Sequence, residues 1–438
     1  MATWLFLFLS LFSAFSPIGA STDSVWTVDI ATSLWRHGST NLDDFADRMN
    51  GDGFYAAMCV SPEGALSDSR QKNCRGHLYN WFPVGGPILT APLVLATVGV
   101  GRILGPARFG FPVYGENLRI FLAGDADRAH GFIEKIDASL ILGATSVVVF
   151  FIASLFLNVR RAAMLTLIFG LATSAYSIAG RALWQHTPSM FLLSVIILML
   201  LKAEKRPALA AWAGIPVALS YTVRPTDSLF VAIFTIYVAV RHRACLVRYL
   251  LAALPIAVAF LAYNFSIYHS PFAPYYQNSL DGIYPSNWLK AAKGLAGNLV
   301  SPSRGLFVYT PVFLFSVWSM WKRMWQSALS NWLGSLAAMH AIAIGLYTYC
   351  WWAGHCYGPR FFTDLTPVFV LFLIPFFANW AQLSRYTRTA FVICVLVGLG
   401  IHLRGGWSTA VYAWNVTPAN VDQFPERAWD WSDPQFLR

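Results

Sequence analysis

Ten ionisable residues stand at or beside the ends of long apolar runs: Asp23, Asp29, Arg181, His186, Arg224, Asp227, Arg304, His355, Arg360 and Asp364. Ionisable groups at membrane depth are costly, and by default they mark a functional site facing a bundle interior. The plainer reading of any one alone is a snorkelling side chain. Three motifs are built round arginine: Arg224-Pro225-Thr226-Asp227, Ser301-Pro302-Ser303-Arg304-Gly305, and the run from Trp351 to Arg360. A guanidinium carries a permanent charge on a planar fork that matches phosphate oxygens. In the third motif Gly354, Gly358 and Pro359 let the backbone bend close to a ligand, and Trp351 and Trp352 supply flat apolar walls. A lipid phosphate, with a sugar stacked on aromatics, suits such residues. Asp23 reads in two ways: as a carboxylate shielded from water and so fitted to be a general base, or as a helix cap.

The elements that must position these residues are apolar helices. Of 438 residues, 56% are hydrophobic and 12% charged, against about a quarter charged in a soluble domain. A soluble enzyme, a disordered chain and a nucleic-acid-binding domain are excluded. Apolar segments run over Trp4–Ala20, Val84–Leu104, Asp137–Leu157, Ala162–Gly180, Ser189–Leu201 and Pro207–Val223. They continue over Leu229–Val240, Leu246–Ile267, Phe307–Met320, Trp332–Tyr349, Thr363–Trp380 and Thr389–Leu403. The short connectors at Arg160-Arg161, Lys202 to Arg206, Arg241 to Arg243, Lys322-Arg323 and Arg385 to Arg388 are basic, and one orientation puts all five in the cytoplasm. The net charge of +10 is accounted for in the same way.

Parity then places residues 21–136 outside. Val84–Leu104, with Pro83, Pro87, Pro92 and four glycines after Val84, is expected as an interfacial or re-entrant helix. About eleven crossings remain by the ~20-residue requirement, with the amino terminus inside and the carboxyl terminus outside. Trp4–Ala20 is read as a retained first helix; it has the length of a secretory signal core, but no basic stretch precedes it. Beyond it, Val25, Val28, Ile30, Ala31 and Leu34 fall at helical spacing, with Ser24 as N-cap and Gly38 as stop. This predicts an amphipathic helix on the membrane surface, with Asp23 above the first span.

The six cysteines are too few for a disulfide scaffold. Cys59 and Cys74 share the outer loop and are a disulfide candidate; Cys350 and Cys356 are a weaker pair. No structural-zinc spacing and no phosphate-binding glycine loop is present. Asp23, Asp29 and Asp227 could help hold a divalent metal ion, although no ligand spacing compels it.

The order of motifs resembles the GT-C superfamily of polytopic membrane glycosyltransferases, nearest to bacterial family 39-type enzymes that use dolichyl- or polyprenyl-phosphate sugars. The resemblance rests on the outer helix ending at Gly38 and followed by Leu42-Asp43-Asp44, on the run from Tyr79 to Pro92, and on Arg181 to His186. It continues through Ser301 to Pro311 and Gly354 to Pro367. It implies an all-α, GT-C-like bundle with juxtamembrane helices in the first outer loop. It also implies a polyprenyl-phosphate-sugar donor and an active site on the periplasmic face of a bacterial inner membrane. The family's first-loop aspartate maps best onto Asp23, with Asp29 as fallback. Residues 1–403 would form the catalytic domain and 404–438 a short outer tail, so that a glycan, lipid or protein acceptor would be met by the loops Asn264–Gly305 and Asp43–Arg75.

The mechanism expected is single displacement. Asp23 deprotonates an acceptor hydroxyl, and Arg360, then Arg304 and Arg224, neutralise the departing phosphate. His186, His355, Trp352, Tyr79 and Asp227 would contact substrate. The alternatives are a flippase for lipid-linked sugar, which should show inverted repeats that this chain lacks, and a ligase or polymerase using a lipid-diphosphate donor.

Overall fold

The computed structural model describes residues 1–20, 22–49, 56–68, 74–104, 116–125, 128–281 and 287–438. Apolar sequence with few breakers folds into α1 (Ala2–Phe15), α2 (Thr27–His37), α3 (Gly85–Leu104), α4 (Glu116–Leu122), α5 (His130–Ala153), α6 (Val159–Leu171) and α7 (Ser174–Ser177). Next come α8 (His186–Ala203), α9 (Ala208–Trp212), α10 (Gly214–Val223), α11 (Ser228–Arg241), α12 (Leu246–Tyr268), α13 (Pro274–Asp281) and α14 (Trp288–Val300). The last are α15 (Leu306–Tyr309), α16 (Phe313–Trp321), α17 (Ser330–Leu346), α18 (Thr366–Leu371), α19 (Ile374–Ala378), α20 (Arg385–Trp407) and α21 (Ala410–Ala413). Among the described residues six helical segments are long and apolar enough to cross a membrane: Gly85–Leu104, His130–Ala153, His186–Ala203, Arg243–Tyr268, Arg360–Ala378 and Arg385–Trp407. A seventh arises if Val159–Leu171 and Ser174–Arg181, bent by 43°, form one span. The chain is a helical, multi-pass membrane protein.

Helices α5, α8 and α10 are packed side by side, with α1 and α6 against α5. Small residues set the spacing. A side chain on Gly143 of α5 would collide with Ser10 of α1, so glycine is what lets the two helices touch. The main core is aromatic and aliphatic: Phe313 stacks on Phe369 at 5.0 Å, and Phe315 meets Phe376 and Phe391 edge-on at 5.2 Å each.

The first outer loop departs from the sequence expectation. It contains a three-stranded antiparallel sheet, β1 (Ala57–Val60), β2 (Leu66–Asp68) and β3 (His77–Asn80), in the order β2-β1-β3. Strand alternation divides its faces. Cys59 and its cross-strand partner Leu78 pack on Trp26 and Ile30 of the α2 segment, while Met58 and Val60 pack on Tyr268 and Tyr276. Cys59 and Cys74 are disulfide-bonded, whereas Cys350 and Cys356 are free.

Helix α2 starts at Thr27 with Trp26, not Ser24, at the N-cap position and no side-chain cap bond; Ser24 contributes only its carbonyl, which accepts from the Thr27 amide at 2.8 Å. Gly38 ends it in the left-handed conformation, as expected (φ 65°). Residues Thr27 to Ser33 are buried between α3 and the sheet, while the last turn, with Trp35 73% exposed, stands free. Helix α3 is unbroken across Pro92 over 20 residues, so its length is no bar to crossing.

Residues 404–438 are not a separate tail. Helix α20 runs through 403 to Trp407, and the rest folds back on the body. Arg427 stacks on Trp414 at 4.1 Å and donates to the carbonyls of Trp414, Thr417 and Ala419.

Candidate active site

Four segments distant in sequence meet at one end of the bundle. They are the link from α1 to α2 (Asp23), the turn before α8 (Trp184, His186), the connector from α10 to α11 (Arg224, Asp227) and the 3-10 turn before α18 (Arg360, Asp364). The last is shaped by Ala353, Gly354 and Gly358, at φ 62°, 65° and 67°. At Gly358 a β-carbon would lie 2.6 Å from the Tyr309 ring, so conformation and space both require glycine there. Pro359 follows, and the chain turns to present Arg360.

Arg360 is held on four sides. Its Nη2 pairs with the Asp23 carboxylate, its Nε donates to His186 Nε2 at 3.2 Å, and its Nη1 donates to the Ala353 carbonyl at 3.3 Å. The guanidinium lies over the Trp184 ring, 4.3 Å from its centroid, a cation–π contact. Because an arginine Nε–H can only donate, His186 Nε2 must carry a lone pair. His186 Nδ1 lies 2.6 Å from Asp364 Oδ1 and 2.9 Å from Arg224 Nη1; a carboxylate oxygen can only accept, so the proton placed on Nδ1 is the one donated to Asp364, and Arg224 stands beside that bond without donating to the ring. This assigns the neutral imidazole by the hydrogen-bond network. Asp364 is 0% exposed, and its other oxygen pairs with Arg224. The result is a chain of partners, Asp23–Arg360–His186–Asp364–Arg224, running from the partly exposed end inward.

Asp227 lies beside this chain. It is fully buried and accepts from Ser189 Oγ at 2.7 Å. Burial pushes its carboxyl up to about 7, against the opposing pull of Arg224 and the Ser189 bond. Near the same turn His340 Nε2 donates to the Phe361 carbonyl at 2.8 Å.

Other residues expected at the site are elsewhere or already committed. Arg304 donates to the carbonyls of Trp352 (2.6 Å), Ser303 (2.8 Å) and Gly354 (3.1 Å), and to Gln435 Oε1 (2.6 Å) and Asn415 Oδ1 (2.8 Å). A phosphate clamp needs donors to spare; Arg304 has spent its own on shaping the turn. Asp29 forms a two-pronged pair with Arg48 at 2.6 and 2.9 Å, which engages both of its oxygens and ties α2 to the next turn. His355 faces Asn420 at 2.9 Å, and Trp352 Nε1 donates to Asp422 at 2.7 Å, so both brace the folded-back carboxyl end. Tyr79 packs edge-on against Tyr268 at 6.4 Å, on the sheet.

Among the described residues no three His, Cys, Asp or Glu side chains come together as a cation site. Asp23, Asp29 and Asp227 thus do not form the metal-holding set considered from sequence. Parts of the two acceptor loops, residues 50–55, 69–73 and 282–286, lie outside the described residues.

The structure adds residues that sequence reasoning missed. Trp184 underlies Arg360, and Gln435, fully buried, accepts from Arg304 while its amide donates to the Cys356 and Val411 carbonyls at 2.8 Å each. Trp184 lies within a quoted motif, and only its spacing of two from His186 could have marked it; nothing local marks Gln435. No family model, curated protein or solved structure matches this chain.

Proposed function

We propose that the protein is a glycosyltransferase of GT-C type that moves a sugar from a polyprenyl-phosphate donor to an acceptor hydroxyl on the extracytoplasmic face. The observation that carries the reading is the pairing of Asp23 with Arg360, residues 337 positions apart. Base and phosphate-binding cation are the two groups that such a transfer needs side by side. The reading of about eleven crossings of a bacterial inner membrane counts shorter apolar helices, such as Ala2–Phe15 and Ala208–Val223, together with the longer ones. All five basic connectors then lie opposite the Asp23–Arg360 end.

In this reading the acceptor oxygen attacks the anomeric carbon and loses its proton to Asp23. The carbon–oxygen bond to phosphate breaks with its electron pair leaving on the phosphate, whose added charge Arg360 neutralises. No acid is required, because phosphate is already a good leaving group. His186 holds Arg360 from behind, and Arg224 acts one layer deeper by keeping Asp364 ionised and His186 in its tautomer. Offering purified protein sugars linked to lipid monophosphate and to lipid diphosphate distinguishes the two kinds of donor. Transfer from the monophosphate that is lost in Asp23→Asn supports the proposal; transfer only from the diphosphate, or none in intact wild type, refutes it.

A further inference from the structure

Arg181, Arg224, Arg304 and Arg360 are all buried at the same end of the bundle, and each disposes of its charge differently. Arg181 relies on the Ser13 and Ser16 hydroxyls, the Tyr176 carbonyl at 3.0 Å and the Tyr176 ring at 4.5 Å. Arg304 is surrounded by neutral oxygens. Arg224 is neutralised by Asp364, which is wholly enclosed. Arg360 alone of the four is paired with a carboxylate near the surface: the side chains of Arg360 and Asp23 are 14% and 10% exposed. The pair also joins two unlike supports. Arg360 is anchored from behind by neutral groups on His186, Ala353 and Trp184, whereas Asp23 sits on the link between two helices.

We infer that the Asp23–Arg360 pair is a latch: a phosphate group and the Asp23 carboxylate compete for one guanidinium, and phosphate binding is what frees Asp23 to act. This rests on the reading of Arg360 as the donor-phosphate residue. Its anchors keep the guanidinium in place while the anion is exchanged. A phosphate ester presents several oxygens and at least as much negative charge as a carboxylate, and the planar fork accepts either. A carboxylate paired with a cation is a poor base, since the cation favours its ionised form. Once phosphate takes the cation, the nearby negative charge raises the affinity of Asp23 for a proton. The donor therefore arms the base, and donor binds before acceptor is activated.

The test is a binding titration of the full chain in phosphatidylcholine nanodiscs, with decaprenyl phosphate in one arm and inorganic phosphate in the other. Removing the competing carboxylate in Asp23→Asn should tighten decaprenyl phosphate binding about tenfold, and Arg360→Gln should weaken it about tenfold or more. Asp23→Ser provides a second removal of charge and should move affinity the same way; thermal unfolding of each variant verifies folding. The same rank order with inorganic phosphate assigns recognition to the phosphate alone, and a rank order confined to the lipid assigns it to the headgroup; both uphold the competition. Unchanged or weaker binding in both Asp23 variants overturns the latch. If binding is then still lost in Arg360→Gln, the functional proposal survives without it. No binding by wild type or by either Asp23 variant overturns both.

Discussion

Asp364→Asn is the substitution whose consequence can be worked furthest from the geometry. The carboxylate is enclosed, neutralises Arg224 through one oxygen and accepts from His186 Nδ1 at 2.6 Å through the other. Asparagine keeps the shape and removes the charge. Arg224 is then a buried cation without its counter-ion, and breaking a buried pair from one side costs ~3–5 kcal/mol. Whichever way the amide turns, its nitrogen also faces a donor, either His186 Nδ1–H or Arg224. Arg224→Met leaves the opposite charge stranded and should cost a similar amount. The double variant carries neither charge; its amide oxygen can still accept from His186 Nδ1–H, and the main loss is an amide nitrogen facing the introduced methionine without an acceptor, ~1–3 kcal/mol. It should therefore be more stable than either single variant, a large favourable coupling in a double-mutant cycle. Equilibrium unfolding in mixed micelles, followed by tryptophan fluorescence, reads all four proteins. Single variants within about 1 kcal/mol of wild type, or a double variant equal to the sum of the singles, would refute the buried-pair argument.

Two further predictions concern the surroundings of that pair. Gln435→Ala should strip Arg304 and the Cys356 and Val411 carbonyls of a buried partner, lowering stability by about 3 kcal/mol or more at ~1–3 kcal/mol per orphaned group; the midpoint of the same unfolding curve measures it, and a shift near zero counts against the clamp. Asp227, with its carboxyl pushed up to about 7 by burial, is protonated in the folded chain where the unfolded chain, at about 4, is not. Folding then takes up a proton between those values, so this contribution to stability falls as pH rises from about 4 to about 7 and is level above. Asp227→Asn should flatten that part of the profile relative to wild type, and parallel profiles would contradict the assignment.

The features legible in sequence are those with a local physical cause. Gly38 had to end α2 because the left-handed cap favours glycine, and Gly358 was recognisable as a bend ahead of Arg360. The proximity of Asp23 and Arg360 followed from topology: if short basic connectors share one side, the remaining helix ends share the other. What topology cannot supply is which of several arginines at that end keeps donors for a ligand. Arg304 and Arg360 look alike in sequence, each beside glycine or proline, yet one is saturated by the remote Gln435, Asn415, Trp352 and Gly354 together with the carbonyl of its neighbour Ser303. Asp29 was misread for the same reason, since its partner Arg48 lies beyond the helix that carries it. The cover over α2 was hidden too: its apolar residues are shared between α3, on Val28 and Ala31, and a small disulfide-bonded sheet, on Trp26 and Ile30, and helical spacing alone cannot tell such protein partners from a membrane surface.

The most direct measurement is mass spectrometry of envelope glycans and polyprenyl lipids from cells making wild type or Asp23→Asn at equal, membrane-inserted levels. The account predicts that one glycan modification disappears in the variant while its polyprenyl-phosphate sugar accumulates. An unchanged glycan profile with no accumulated lipid-linked sugar would contradict it.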